Sequence, residues 1–152
     1  MKIIVDTNIV FSGILNSSSK IGRILTTSNL HLELYSCDFM KFELKKHRNK
    51  LVQLSKSTED KIEEIQHLTT TYITFINESL IPVEHFINAE ILLKDVDIND
   101  TPFVALAAFL DAKLWTGDKK LYNGLKKQHF DAVIDTSELL ALLETLDKTL
   151  SH

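Results

Sequence analysis

A three-layer α/β/α sandwich on a mainly parallel sheet is the fold class this sequence predicts, and three observations carry it. Short runs of apolar residues such as Ile3-Ile4-Val5 and Ala132-Val133-Ile134 lack polar alternation, as strands buried on both faces require. Between them lie longer segments whose apolar residues recur at helical spacing. Strands alternating with helices make a parallel sheet with helices on both faces, since each helical crossover returns the chain to the same edge. One domain over 1–152 is expected.

Taken in order, Ile3-Ile4-Val5 is the first strand and Asp6 closes it. Residues 21–27 read as a helix on Ile21, Ile24 and Leu25, and 32–35 as a second strand. Asp38 caps a helix running to about residue 54, with Lys and Arg gathered in its second half, where they complement the helix dipole. Ser57-Thr58-Glu59-Asp60 opens the next helix, whose stripe is expected to continue through Ile62, Ile65, Leu68, Tyr72, Phe75 and Ile76. Leu80-Ile81-Pro82-Val83 reads as an edge strand or extended link, because proline cannot donate within a central ladder. Asn88 is placed to cap a short helix ending near Leu93. Thr101-Pro102 opens a helix over 103–110 that is apolar nearly all round and therefore buried. Residues 113–116 form a strand ended by Gly117-Asp118, 132–134 a last strand, and Thr136 or Ser137 caps a leucine-rich terminal helix.

Composition narrows the function classes. The 152 residues are 44% hydrophobic and 25% charged, ordinary for a globular protein. The single cysteine, Cys37, excludes an internal disulfide and a cysteine-rich zinc site, and fits a reducing compartment. No apolar run is long enough to span a bilayer and no signal peptide is evident, so a cytoplasmic protein without a membrane partner is expected. The histidines are scattered without metal-ligand spacing, the glycines are isolated, and no nucleophile elbow occurs. A net charge of -4 runs against the basic footprint of nucleic-acid binders, unless some of the acids hold divalent cations.

Four acids stand out. Ligands of an open parallel sheet gather beyond the carboxyl ends of its strands. Asp6 and Asp118 both fall there, and Asp100 precedes a helix that would begin at the same edge if it runs antiparallel to the following strand. Glu43 lies on the inward stripe of its helix with Phe39 and Met40, a costly place for a carboxylate without a partner. Singly, each has a plainer reading: strand end, helix cap, turn residue, or partner of a neighbouring lysine. Together they would repel strongly, by about 4 kcal/mol for a pair 4 Å apart at an effective dielectric near 20, unless a cation neutralised them. Oxygen ligands without His or Cys select Mg²⁺ or Mn²⁺.

Val5-Asp6-Thr7-Asn8, the Glu43 helix, the stretch from Asp97-Ile98-Asn99-Asp100-Thr101-Pro102 to Ala107, and Leu114-Trp115-Thr116-Gly117-Asp118-Lys119-Lys120-Leu121 resemble the PIN-domain family. The likeness covers nearly the whole chain in order and looks closest to VapC-like toxins of type II toxin–antitoxin pairs. It implies Mg²⁺- or Mn²⁺-dependent cleavage of RNA phosphodiester bonds, with Asp6, Glu43, Asp100 and Asp118 as catalytic, metal-binding acids. Asn8 and Thr116 match positions that orient those acids or the attacking water, and Asp97 a more variable acid read as a cap or outer partner. Lys119 and Lys120, which abut the site, are the expected RNA-phosphate contacts; a further basic cluster spans Lys41, Lys45, Lys46, His47, Arg48 and Lys50. Trp115 is assigned to the core rather than to base stacking. A protein antitoxin or a homodimer could use part of the terminal leucine stripe. The competing readings are a receiver-like phosphoryl-transfer domain, which would carry adjacent carboxylates after its first strand, and a non-catalytic RNA- or protein-binding module on the same fold.

Overall fold

The computed structural model describes residues 1–150; the last two residues of the expected domain lie outside them. Five strands form the sheet: β1 (Lys2–Val5), β2 (Glu33–Cys37), β3 (Ile73–Ile76), β4 (Lys113–Trp115) and β5 (Val133–Ile134), in the order β3-β2-β1-β4-β5. Every neighbouring pair is parallel, so the sheet is parallel throughout. The helices are α1 (Thr7–Leu15), α2 (Lys20–Thr26), α3 (Phe39–Lys46), α4 (Arg48–Ser55), α5 (Glu59–Thr69), α6 (Val83–Leu93), α7 (Thr101–Leu110), α8 (Lys119–Lys127) and α9 (Thr136–Leu150). They form two packed groups, one in which α1 touches α2, α3, α4 and α5, and another in which α6 packs on α7 and α8. An α/β/α arrangement results.

The centre of the sheet explains its composition. Ile3, Ile4 and Val5 are fully buried because β1 is flanked by strands on both sides and by α7 on a face. Trp115 is also fully buried, its indole Nε1 donating to Thr136 Oγ1 at 3.0 Å, so the terminal helix is tied to β4 at its first residue. Leu139 and Leu143 turn the inner side of α9 into core. No described helix is long and apolar enough to cross a membrane.

The structure departs from the sequence reading in several elements. The helix expected to reach Ile76 stops at Thr69, and Ile73–Ile76 is β3, an edge strand paired with β2 from Leu34↔Ile73 to Cys37↔Ile76. The Thr69-Thr70-Thr71 run ends the helix: Thr70 and Thr71 hydroxyls donate back to the carbonyls of Gln66 and His67, and Ile73-Thr74-Phe75-Ile76 is rich in the branched and aromatic residues that strands favour. The segment read as an edge strand is instead a 3-10 turn, Glu78–Leu80, followed by Pro82 at the N-cap of α6, which leaves Asn88 inside that helix. The helix expected from Asp38 to about residue 54 breaks at His47 (φ -100°, ψ 14°) with no Gly or Pro to announce it. Finally, α1 and α8 follow directly on β1 and β4 as additional helices.

One glycine is required by close approach. A Cβ on Gly22 would lie 2.4 Å from the Ser17 carbonyl oxygen, a backbone atom that cannot swing aside. Gly22→Ala is therefore expected to destabilise the protein by about 1–3 kcal/mol despite alanine's better helix propensity, measurable as a lowered urea midpoint.

Candidate active site

The chain leaves β1 toward β2 and β3, then returns to build β4 and β5 on the other side, so the crossover direction reverses between β1 and β4. A crevice at the carboxyl ends of these two strands is the place where such sheets admit ligands. Register brings the two strand ends level: Val5 pairs with Trp115, and the Asp6 amide reaches the Trp115 carbonyl at 3.4 Å. Asp6 and Thr116 thus leave the sheet side by side.

Asp6 is the N-cap of α1, its Oδ1 accepting from the Ile9 amide at 2.9 Å. It is 2% exposed, and burial pushes its carboxyl up to about 6, against the opposing hydrogen bonds from Thr116 and Ile9 and with help from the charges of Asp118 and Glu43. Thr116, itself buried, also accepts from the Asp118 amide at 3.0 Å, so one hydroxyl fixes both the Asp6 carboxylate and the start of the Asp118 loop. Asp118 caps α8, its Oδ1 accepting from Lys120 and Leu121 amides at 2.9 and 3.2 Å.

Asp100 arrives from the other group of helices. It closes the 3-10 turn Ile98–Asp100 at the head of α7, which runs back to β4 through a two-residue turn and so begins at the carboxyl edge. Its side chain makes no cap hydrogen bond. Burial pushes it up to about 7, and Asp6, Asp97, Asp118 and Glu43 all add to the rise. Glu43, half-buried in α3, is also raised, chiefly by desolvation, against a hydrogen bond from the Thr7 hydroxyl and the nearby His47 and Lys46. These mutual influences show four sequence-distant acids sharing one field at one sheet edge, with Asp97 at its margin. Asp97 is exposed, and its Oδ1 caps the 3-10 turn by accepting from the Asn99 amide at 3.0 Å.

Among the described residues no three His, Cys, Asp or Glu side chains stand together as a ready-made metal-binding group. Glu43 and Asp118 each commit one oxygen to protein donors, Asp6 is held by both the Ile9 amide and Thr116, and like charges resist closer approach without a cation or protons. The donor chemistry nonetheless fits Mg²⁺ or Mn²⁺, since all four groups are hard carboxylates and two are forced toward protonation by burial that a cation would offset. Cys37 offers no alternative nucleophile: it is buried, and desolvation pushes its thiol up.

The remaining expected residues divide. Asn8 is exposed and lies with Thr7, Glu43, His47 and Lys50 around a small hollow of about 130 Å³, without a hydrogen bond to any of the four acids. Lys119 and Lys120 are exposed in the first turn of α8, where the helix dipole opposes positive charge. The basic cluster on α3 and α4 is split: Lys41 pairs with Asp38 and lies over the Phe75 ring, while Arg48 reaches Glu63 and Gln66. Lys46 and His47 face Glu43 electrostatically. Sequence reasoning gave Thr7 no role. Its hydroxyl on Glu43 becomes visible once α1 is seen, and the Ile9, Val10, Gly13, Ile14 spacing was the available signal.

A parallel α/β/α sandwich with acids gathered at its switch point defines the class of fold, and the sequence assigns the family. The PIN domain profile matches residues 4–144, and the chain belongs to the PIN-domain family. No curated protein matches it in sequence. Two solved structures share the fold. VapBC2 from Rickettsia felis, bound to a DNA fragment from their promoter, is 14% identical with a TM-score of 0.66, over 89% of this chain and 97% of that one. PAE2754 from Pyrobaculum aerophilum is likewise 14% identical with a TM-score of 0.66, over 95% and 90%.

Proposed function

We propose that this chain is a Mg²⁺- or Mn²⁺-dependent endoribonuclease and the toxin member of a toxin–antitoxin pair. The observation that carries the reading is the shared electrostatic field of Asp6, Glu43, Asp100 and Asp118 at the switch point of a PIN-domain sheet. The similarity of fold to a VapBC2 complex supports the toxin assignment and, with it, an antitoxin protein as partner.

A bound Mg²⁺ or Mn²⁺ would supply Lewis acidity to the scissile phosphate and lower the pKa of an attacking water. Asp6, Glu43 and Asp100 are the residues assigned to hold it, through lone pairs not already committed to Ile9, Thr116 and Thr7. Asp118 is assigned to position the attacking water or a second, weaker ion. Thr116 keeps Asp6 oriented and Thr7 does the same for Glu43, while Asn8 and Asp97 act from the margin. Lys119 and Lys120 receive RNA phosphates; two lysines set against a helix dipole beside the acids are better explained by an anionic ligand than by helix stability.

The test is cleavage of structured and single-stranded RNAs by purified protein in Mn²⁺, Mg²⁺ and chelator. Cleavage that needs either ion supports the proposal, and cleavage undiminished in chelator overturns the metal mechanism. Lys119→Ala is expected to weaken RNA binding severalfold and to reduce the slope of log affinity against log salt by about 1, with single-turnover chemistry at saturation little changed. An unchanged salt slope would remove Lys119 from the phosphate contacts.

A further inference from the structure

Beside the acid cluster, between the loops that follow β4 and β5, lies a cavity of about 290 Å³ that shares Thr116 and Asp118 with it. We infer that this cavity is a base-binding subsite, taking the nucleobase of a residue flanking the scissile phosphate and favouring bases with an exocyclic amino group over uracil. The inference rests on the nuclease reading of the adjoining site and adds its sequence preference.

The cavity's walls are held by hydrogen bonds within the protein. Thr136 Oγ1 accepts from the buried Trp115 indole at 3.0 Å. Asp135 and Glu138 bond reciprocally, each amide to the other's carboxylate, at 3.1 and 2.8 Å, which locks the start of α9. Tyr122 lines the cavity with its hydroxyl toward the Glu138 carboxylate, and Lys126 Nζ stands 5.6 Å from its ring centroid, which gives the cavity an aromatic wall. The side chains of Asn123 and Lys119, in contrast, are exposed and make no hydrogen bond within the described residues. An aromatic wall with a free amide and a free ammonium at its rim is the arrangement that recognises an unstacked base: the ring stacks, the amide reads an edge, the cation meets a phosphate.

The preference follows from the acceptors. Asp135 commits one oxygen, Oδ1, to the Glu138 amide and keeps the other, and Asn123 offers a carbonyl beside its NH₂. An amino group on adenine, cytosine or guanine satisfies such acceptors, whereas the uracil edge brings carbonyl oxygens toward a carboxylate.

Cleavage sites in a randomised RNA pool should show an amino-bearing base enriched at one flanking position for the unmodified protein. Asn123→Ala and Tyr122→Leu should each lower kcat/KM on the preferred RNA by about tenfold or more, and that loss should shrink toward none when the position is abasic. Wild-type cleavage with the same base profile in both variants overturns the subsite and leaves the nuclease reading standing. If no RNA is cut, the nuclease reading falls and binding decides. Adenosine, cytidine and uridine 5′-monophosphates are then titrated in Mg²⁺ while the Asn123 side-chain amide and Tyr122 ring resonances are followed by NMR. Tighter binding of the first two supports the subsite; equal shifts with uridine monophosphate, or none, overturn it.

Discussion

Asp6→Asn is expected to cut metal-dependent RNA cleavage by about a hundredfold or more while the protein melts at the same temperature as wild type or higher. The two halves come from different properties of one side chain. Its Oδ1 caps α1 through the Ile9 amide, and asparagine caps as well as aspartate, so the local fold survives. Its charge is buried beside Glu43 and Asp118 and is unfavourable in the absence of a cation, so losing it relieves the folded state. Single-turnover cleavage and a thermal melt on the same preparation read both effects. A variant that melts lower and still cleaves would mean that Asp6 is a structural cap and nothing more.

The second large effect is a dependence of stability on pH that metal abolishes. Asp6 is raised to about 6 and Asp100 to about 7 from an ordinary value of 3.8. Between those limits the folded protein holds protons that the unfolded chain has released. Stability without divalent ions therefore falls as pH rises from about 4 to about 7, by at most about 7 kcal/mol for the two groups together and by roughly half of that because solvent screens the partly exposed Asp100 and the pair shares one mutual repulsion. An ion bound only to the folded state opposes this by about 2.7 kcal/mol at a hundred times its Kd, or roughly 5–10 °C in Tm for a chain this size. Melts at pH 5 and pH 7.5, in chelator and in Mn²⁺, carry the comparison. Equal melting temperatures in all four would contradict both the buried-acid and the metal assignments, and Asp100→Asn should flatten the slope seen in chelator.

How much of this was legible in the sequence depends on where each signal resides. The central strands and the acids that end them are local: Ile3-Ile4-Val5-Asp6 and Leu114-Trp115-Thr116-Gly117-Asp118 announce a buried strand and the residues beyond its carboxyl end. Asp100 was placed by a single geometric condition, that α7 run back to β4, which the structure satisfies. The misreadings are of elements whose identity is decided by tertiary contact. β3 continues the spacing of the α5 stripe and becomes a strand because an unpaired edge of β2 awaits it. The break at His47 carries no Gly or Pro, and α8 shows only Leu121 and Leu125 to the core between lysines. Thr7 on Glu43, and the cavity walled by Tyr122 and Thr136, join residues far apart in the chain, which spacing alone does not reveal.

The strand order has a consequence for how the protein comes into being. More than a hundred residues separate Asp6 from Asp118, and the two meet only when β4 has docked against β1. At ordinary rates of synthesis that interval lasts on the order of ten seconds. Throughout it the nascent chain carries Asp6 and then Glu43 without the rest of their setting, so a ribosome building this protein stays close to an incomplete site for most of the time that it is at work. The four acids can come together only as the final third of the chain emerges.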